Sequence, residues 1–148
     1  MSDLFRFRAH WTLAVSPERV WAVLERVEEY PQWWPQVRRV RLDPGGRSGT
    51  AEFRSALPYA IRLGVSVRRH DPEARVLDLA LTGDLDGWAR WTLREEDGVT
   101  LVRYAQEVRV VRPLLRALAR PARPLLVLNH TLMMRAGRRG LARRLGAV

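Results

Sequence analysis

The sequence predicts an α+β fold: an antiparallel sheet of about seven strands, two short helices after the first strand, and a long C-terminal helix over the sheet. Three observations carry this. Apolar and polar residues alternate with period two through most of residues 5–111, clusters of Pro, Gly and Asp punctuate the alternating runs, and alternation stops at Pro113, beyond which Leu, Ala and Arg dominate. Period two marks strands with one dry face. Short connections between consecutive strands make an antiparallel meander, and Leu, Ala and Arg favour helix.

The first strand shows Phe5, Phe7, Ala9, Trp11, Leu13 and Val15 on one face and Arg6, Arg8, His10 and Thr12 on the other. Ser16-Pro17-Glu18 then opens a helix: Ser16 can cap the orphan amides, Pro17 suits the first helical position, and Glu18 suits the positive helix end. Val20, Trp21, Leu24 and Val27 follow at helical spacing, and Pro31 and Pro35 break what remains. Strands follow around Val37–Leu42 and Gly49–Ser55. Leu57-Pro58 introduces a longer one with Tyr59, Ile61, Leu63, Val65 and Val67 on one face. After the turn HDPEA (70–74) comes Val76–Leu81, with Leu77, Leu79 and Leu81 pointing one way. GDLDG (83–87) leads into Trp88–Arg94, and EEDG (95–98) turns the chain into Val99–Val111, where Val102, Tyr104, Gln106, Val108 and Val110 share a face. Pro121 and Pro124 divide the C-terminal segment into a short helix and a longer one from about residue 124. On the longer helix Leu126, His130, Met133, Gly137 and Leu141 lie near one stripe, with Val127, Met134 and Leu145 beside it.

The length suits one domain spanning 1–148 with one sizeable core. Asp3, Arg6, Arg8 and His10 break any continuous apolar leader, and no apolar run approaches the roughly 20 residues of a membrane span. With no cysteine, disulfides and thiolate metal sites are excluded and a reducing cytoplasm is the expected location. His10, His70 and His130 are scattered, so neither metal nor cofactor is expected. All 26 basic residues are arginine, and the net charge is +10. Residues 112–148 hold nine of those arginines and no Asp or Glu. A basic helix of this kind suits a solvated face or a weak contact with anionic membrane or nucleic acid.

Four stretches carry a resemblance: SPERVWAVL (16–24), YPQWWPQV (30–37), GDLDGWARWTL (83–93) and NHTLMMRAGRRGL (129–141). In this order they resemble the START / polyketide cyclase-dehydrase / SRPBCC superfamily over essentially the whole chain. The resemblance implies the helix-grip fold, a curved sheet wrapped around a long helix, with an elongated apolar cavity for a hydrophobic small molecule. It also implies that the Trp33-Trp34 pair lies near the cavity mouth. Side chains of neighbours in an extended chain point apart, so one indole is expected to close the core while the other faces the entrance, a ligand or a covering helix. Burying one indole removes on the order of 200 Å² from water, worth roughly 5 kcal/mol.

The candidate ligand-binding residues are Trp33, Trp34, Tyr59, Trp91, Tyr104, Gln106, Asn129, His130, Met133 and Met134. Asn129 and His130 sit on the helix that should roof the cavity, and His130 has the pKa of an acid–base group. Tyr59, Tyr104 and Gln106 face inward by alternation, and a buried phenol requires a partner. Met133 and Met134 would supply an adaptable lining. Asp84 and Asp86, flanked by glycines, read as turn chemistry rather than a carboxylate pair. Nucleophile and phosphate-cradling motifs are absent. The expected function is binding of a lipid, polyketide or similar apolar metabolite. The alternatives are a cyclase or dehydratase using His130 and the tyrosines, and an interaction protein using the basic helix.

Overall fold

The computed structural model describes residues 4–55 and 60–147. Its elements are β1 (Leu4–Leu13), α1 (Pro17–Leu24), a 3₁₀ helix (Val27–Gln32), β2 (Val37–Leu42), β3 (Ser48–Phe53), β4 (Ile61–Asp71), β5 (Val76–Gly83), β6 (Leu85–Glu96), β7 (Val99–Val110), α2 (Pro113–Ala119) and α3 (Arg123–Leu145). The strands form one seven-stranded antiparallel sheet in the order β1-β7-β6-β5-β4-β3-β2. This is the predicted helix-grip architecture: the sheet curves around α3, and the two short helices follow β1. Leu57-Pro58, expected to introduce the fourth strand, and the inward-facing Tyr59 lie outside the described residues.

Local chemistry differs from expectation at three places. Ser16 occupies the N-cap of α1 in an extended conformation, yet its side chain makes no capping bond. Its backbone carbonyl instead accepts from Arg19 and Val20 at 3.1 and 3.2 Å. In GDLDG the expected turn is confined to Asp84. Asp84 alone joins β5 to β6, and its carboxylate accepts from the Arg62 amide at 2.9 Å and pairs with Arg112 at 3.5 Å. Asp86 is a strand residue opposite Arg109. Gly87, in the same strand, passes so close to the Glu107 carbonyl that a Cβ would collide with it. Val127, placed beside the inward stripe of α3, is exposed.

Alternation sorts the rest. Leu77, Leu79 and Leu81 are buried toward α3. Asp78, between them on the opposite sheet face, is held by Arg68 and Arg90, each at 2.8 Å. A register shift between Val67 and Arg69 ends the regular alternation of β4, as a bulge does by inserting an unpaired residue.

Both tryptophans of the 33–34 pair are buried, at 6% and 3% exposure. The covering-helix arrangement is the one adopted: α3 lies over both residues, and they can share a side because they are not in a strand. Trp33 terminates the 3₁₀ helix with φ −130° and ψ −10°. This turn brings the two rings to the same side, nearly parallel with centroids 5.4 Å apart. Helix α3 accommodates them with two glycines. A Cβ on Gly137 would stand 2.6 Å from the Trp34 ring, and one on Gly140 would strike the Trp33 carbonyl.

Candidate functional site

The concave face of the sheet and the underside of α3 enclose a cavity of about 150 Å³. Its wall is apolar because the inward rows of successive strands meet there: Phe5 and Phe7 from β1, Leu63 and Val65 from β4, Leu79 and Leu81 from β5, Trp91 from β6. The strand register sets these rows level, placing Phe7 and Ala89 on either side of Gln106 and Trp91 opposite Tyr104. Helix α3 contributes Leu126, Asn129, His130 and Met133, and Tyr30 and Trp34 close the side toward the 3₁₀ helix. Exposed Arg54 stands at the rim.

Most polar atoms in this wall are already bonded to the protein. The Tyr30 hydroxyl donates to the Leu24 carbonyl at 2.6 Å, and the Trp34 indole donates to the Met133 carbonyl at 2.8 Å. Besides the Asn129 amide, one polar cluster remains. Gln106 Oε1 accepts from the Tyr104 hydroxyl and lies 3.1 Å from His130 Nε2. With the amide in this orientation, the imidazole carries its proton on Nε2 and keeps Nδ1 as an acceptor. Desolvation lowers the His130 pKa to about 4, so the ring is neutral near pH 7. It stacks on Phe7 with centroids 3.7 Å apart and planes 7° off parallel. Burial raises the phenol pKa of both Tyr30 and Tyr104, so both stay protonated.

Of the predicted site residues, Trp34, Trp91, Tyr104, Gln106, Asn129, His130 and Met133 line the cavity together. Trp33 and Met134 do not. Trp33 is screened by the Trp34 ring stacked on it, and Met134 is buried about 100° round the helix from Met133. Tyr30 and Phe7 were not singled out from the sequence. Phe7 lay on a recognised inward row, but its place against His130 depends on β1 pairing with β7, which sequence spacing does not specify. Among the described residues no group of His, Asp and Glu could hold a metal ion, and no described helix is long and apolar enough to cross a membrane.

Residues 5–146 match the family described as polyketide cyclase / dehydrase and lipid transport. The chain belongs to this family. No curated protein matches the sequence. Similar solved structures show the same fold at low identity. A START superfamily protein from Mycobacterium smegmatis is 15% identical with a TM-score of 0.72, covering 95% of this chain and 97% of its own. The Zhui aromatase/cyclase from Streptomyces is 16% identical with a TM-score of 0.70, covering 95% of each chain. A protein from Thermus thermophilus is 16% identical with a TM-score of 0.75, covering 95% of this chain and 99% of its own. This polyketide cyclase/dehydrase family member thus shares the whole helix-grip frame with these structures.

Proposed function

We propose that the protein binds a hydrophobic small molecule between the sheet and α3. The observation that carries this reading is the cavity wall: aliphatic and aromatic on nearly all sides, with few polar groups (the Tyr104–Gln106–His130 cluster, Asn129 and rim Arg54), the usual make-up of a small-molecule site. Its size narrows the ligand class. A cavity of about 150 Å³ resembles the engineered apolar cavity that accepts benzene and is smaller than the roughly 300–1,000 Å³ of pockets for drug-sized ligands. The enclosed space therefore suits one ring or a short acyl segment, with the remainder of a longer lipid or polyketide leaving past Arg54.

Native mass spectrometry after incubation with an apolar metabolite extract tests this. A reproducible added mass, released on denaturation and lost when Ala89→Phe fills the cavity, is the expected result. A wild-type protein that stays unliganded, or an added mass that survives in a folded Ala89→Phe variant, would refute binding at this site.

A second reading follows from the Tyr104–Gln106–His130 chain, since the imidazole lining the cavity keeps one acceptor nitrogen and the family includes cyclases and dehydrases, although a pKa of about 4 makes His130 a weaker base than the sequence led one to expect. His130→Leu should then abolish turnover of a bound polyketide-like substrate while leaving its binding intact. Unchanged turnover would remove His130 from any catalytic role.

A further inference from the structure

The outer side of the C-terminal helices carries an apolar surface that the ligand reading does not use. Leu114 of α2 and Leu125, Leu128 and Leu132 of α3 are 46–53% exposed. On an ideal helix Leu125, Leu128 and Leu132 fall on one ridge, and the same ridge continues through Arg135, Arg139 and Arg143. From the first leucine to the last arginine it runs about 27 Å at 1.5 Å per residue.

The two halves of the ridge differ in what they lack. Among the described residues nothing covers the leucines, although the opposite side of the same turns packs over the cavity through Leu126, His130 and Met133. The arginines have no acidic partner among the described residues. Elsewhere Arg112 pairs with Asp84 and Arg144 with Glu29. Exposed leucines beside unpaired arginines on one helix are the composition of a segment that lies in the headgroup region of an anionic bilayer, leucines entering the acyl boundary and guanidinium groups meeting phosphates.

We propose that this ridge docks the protein on an anionic phospholipid membrane. The alternative occupant, a second copy of the chain, meets an electrostatic objection. A two-fold contact sets a patch against itself, and residues 112–148 contain nine arginines and no acid to receive them. Docked in this way, the roof of the cavity lies against the bilayer, giving an apolar ligand a path between acyl chains and cavity that avoids water.

The test is vesicle flotation, with phosphatidylcholine vesicles compared with vesicles containing one third phosphatidylglycerol. The wild-type protein should float only with the second kind. Leu128→Ser/Leu132→Ser should weaken partitioning roughly tenfold by removing buried apolar area. Arg135→Gln/Arg139→Gln should weaken it roughly 25-fold at low salt, about fivefold per arginine, and reduce its salt sensitivity. All four sites are exposed, so circular dichroism and cavity-ligand binding should be unchanged in both variants. This separates a failure of docking from a failure of the ligand reading. The proposal is overturned if the wild-type protein does not float, if both variants float as well as wild type, if the serine pair dissolves a dimer instead, or if the protein binds RNA but not vesicles.

Discussion

The Trp34 indole donates a 2.8 Å hydrogen bond to the backbone carbonyl of Met133, and Gly137, the residue whose amide that carbonyl serves within the helix, leaves the space in which the ring lies. A carbonyl oxygen has two lone pairs, so it can accept the indole without breaking the helix. Replacing Gly by Ala in a helix interior ordinarily stabilises by about 1 kcal/mol. Here the sign should reverse. Gly137→Ala sets a methyl 2.6 Å from the ring and should destabilise by about 1–3 kcal/mol. Gly140→Ala should do at least as much, because its clash is with backbone. Urea unfolding checks both, and a stabilised variant would contradict the packing described.

The two adjacent tryptophans should differ in their polar contribution. Trp33 Nε1 is buried and meets no acceptor among the described residues, whereas Trp34 Nε1 is bonded. Trp34→Phe should therefore destabilise more than Trp33→Phe, by about 1 kcal/mol for the lost hydrogen bond. Equilibrium unfolding of the two variants measures the difference.

Gln106 Oε1 serves two donors on one strand and one helix. Gln106→Leu should leave both donors facing apolar surroundings and destabilise by about 1–3 kcal/mol. Adding Tyr104→Phe should restore part of the loss by removing one stranded hydroxyl. A double-mutant cycle with purely additive effects would show that the two side chains do not share the bond.

Acid should weaken the fold through His130. Its pKa falls from 6.5 to about 4 on folding, so between these values the unfolded chain binds the proton that the folded one refuses, and stability falls as pH drops. The loss begins near pH 6.5, levels off below about pH 4, and approaches about 3 kcal/mol at about 1.4 kcal/mol per pH unit. Comparing wild type with His130→Leu across this window isolates the contribution. Identical slopes would mean that the imidazole is not desolvated.

Much of this molecule was legible in one dimension. The period-two runs located β1, β4, β5 and β7 with their inward rows, because a pleated strand must point alternate residues to opposite faces, and turn clusters bracketed β2, β3 and β6. Pro113, Pro121 and Pro124 marked the helix boundaries, because proline removes an amide and clashes with the preceding turn. Those rules rest on neighbours along the chain, and they sufficed to put Tyr104, Gln106, His130 and Met133 on surfaces that face each other.

Tertiary structure decided what depends on residues distant in sequence. Trp33 and Trp34 share a side because a 3₁₀ turn replaces the extended chain there and Gly137 and Gly140, a hundred residues later, make room. Met133 reaches the cavity and Met134 does not because α3 settles on the sheet with one rotation about its axis. The lowered pKa of His130 arises from Phe7 and the sheet closing over it. The leucine ridge stands exposed because the core fills from the opposite side of the same helix, where the stripe of Leu126, His130 and Met133 meets the cavity. Local periodicity sets where side chains can point; long-range packing sets which of them are covered.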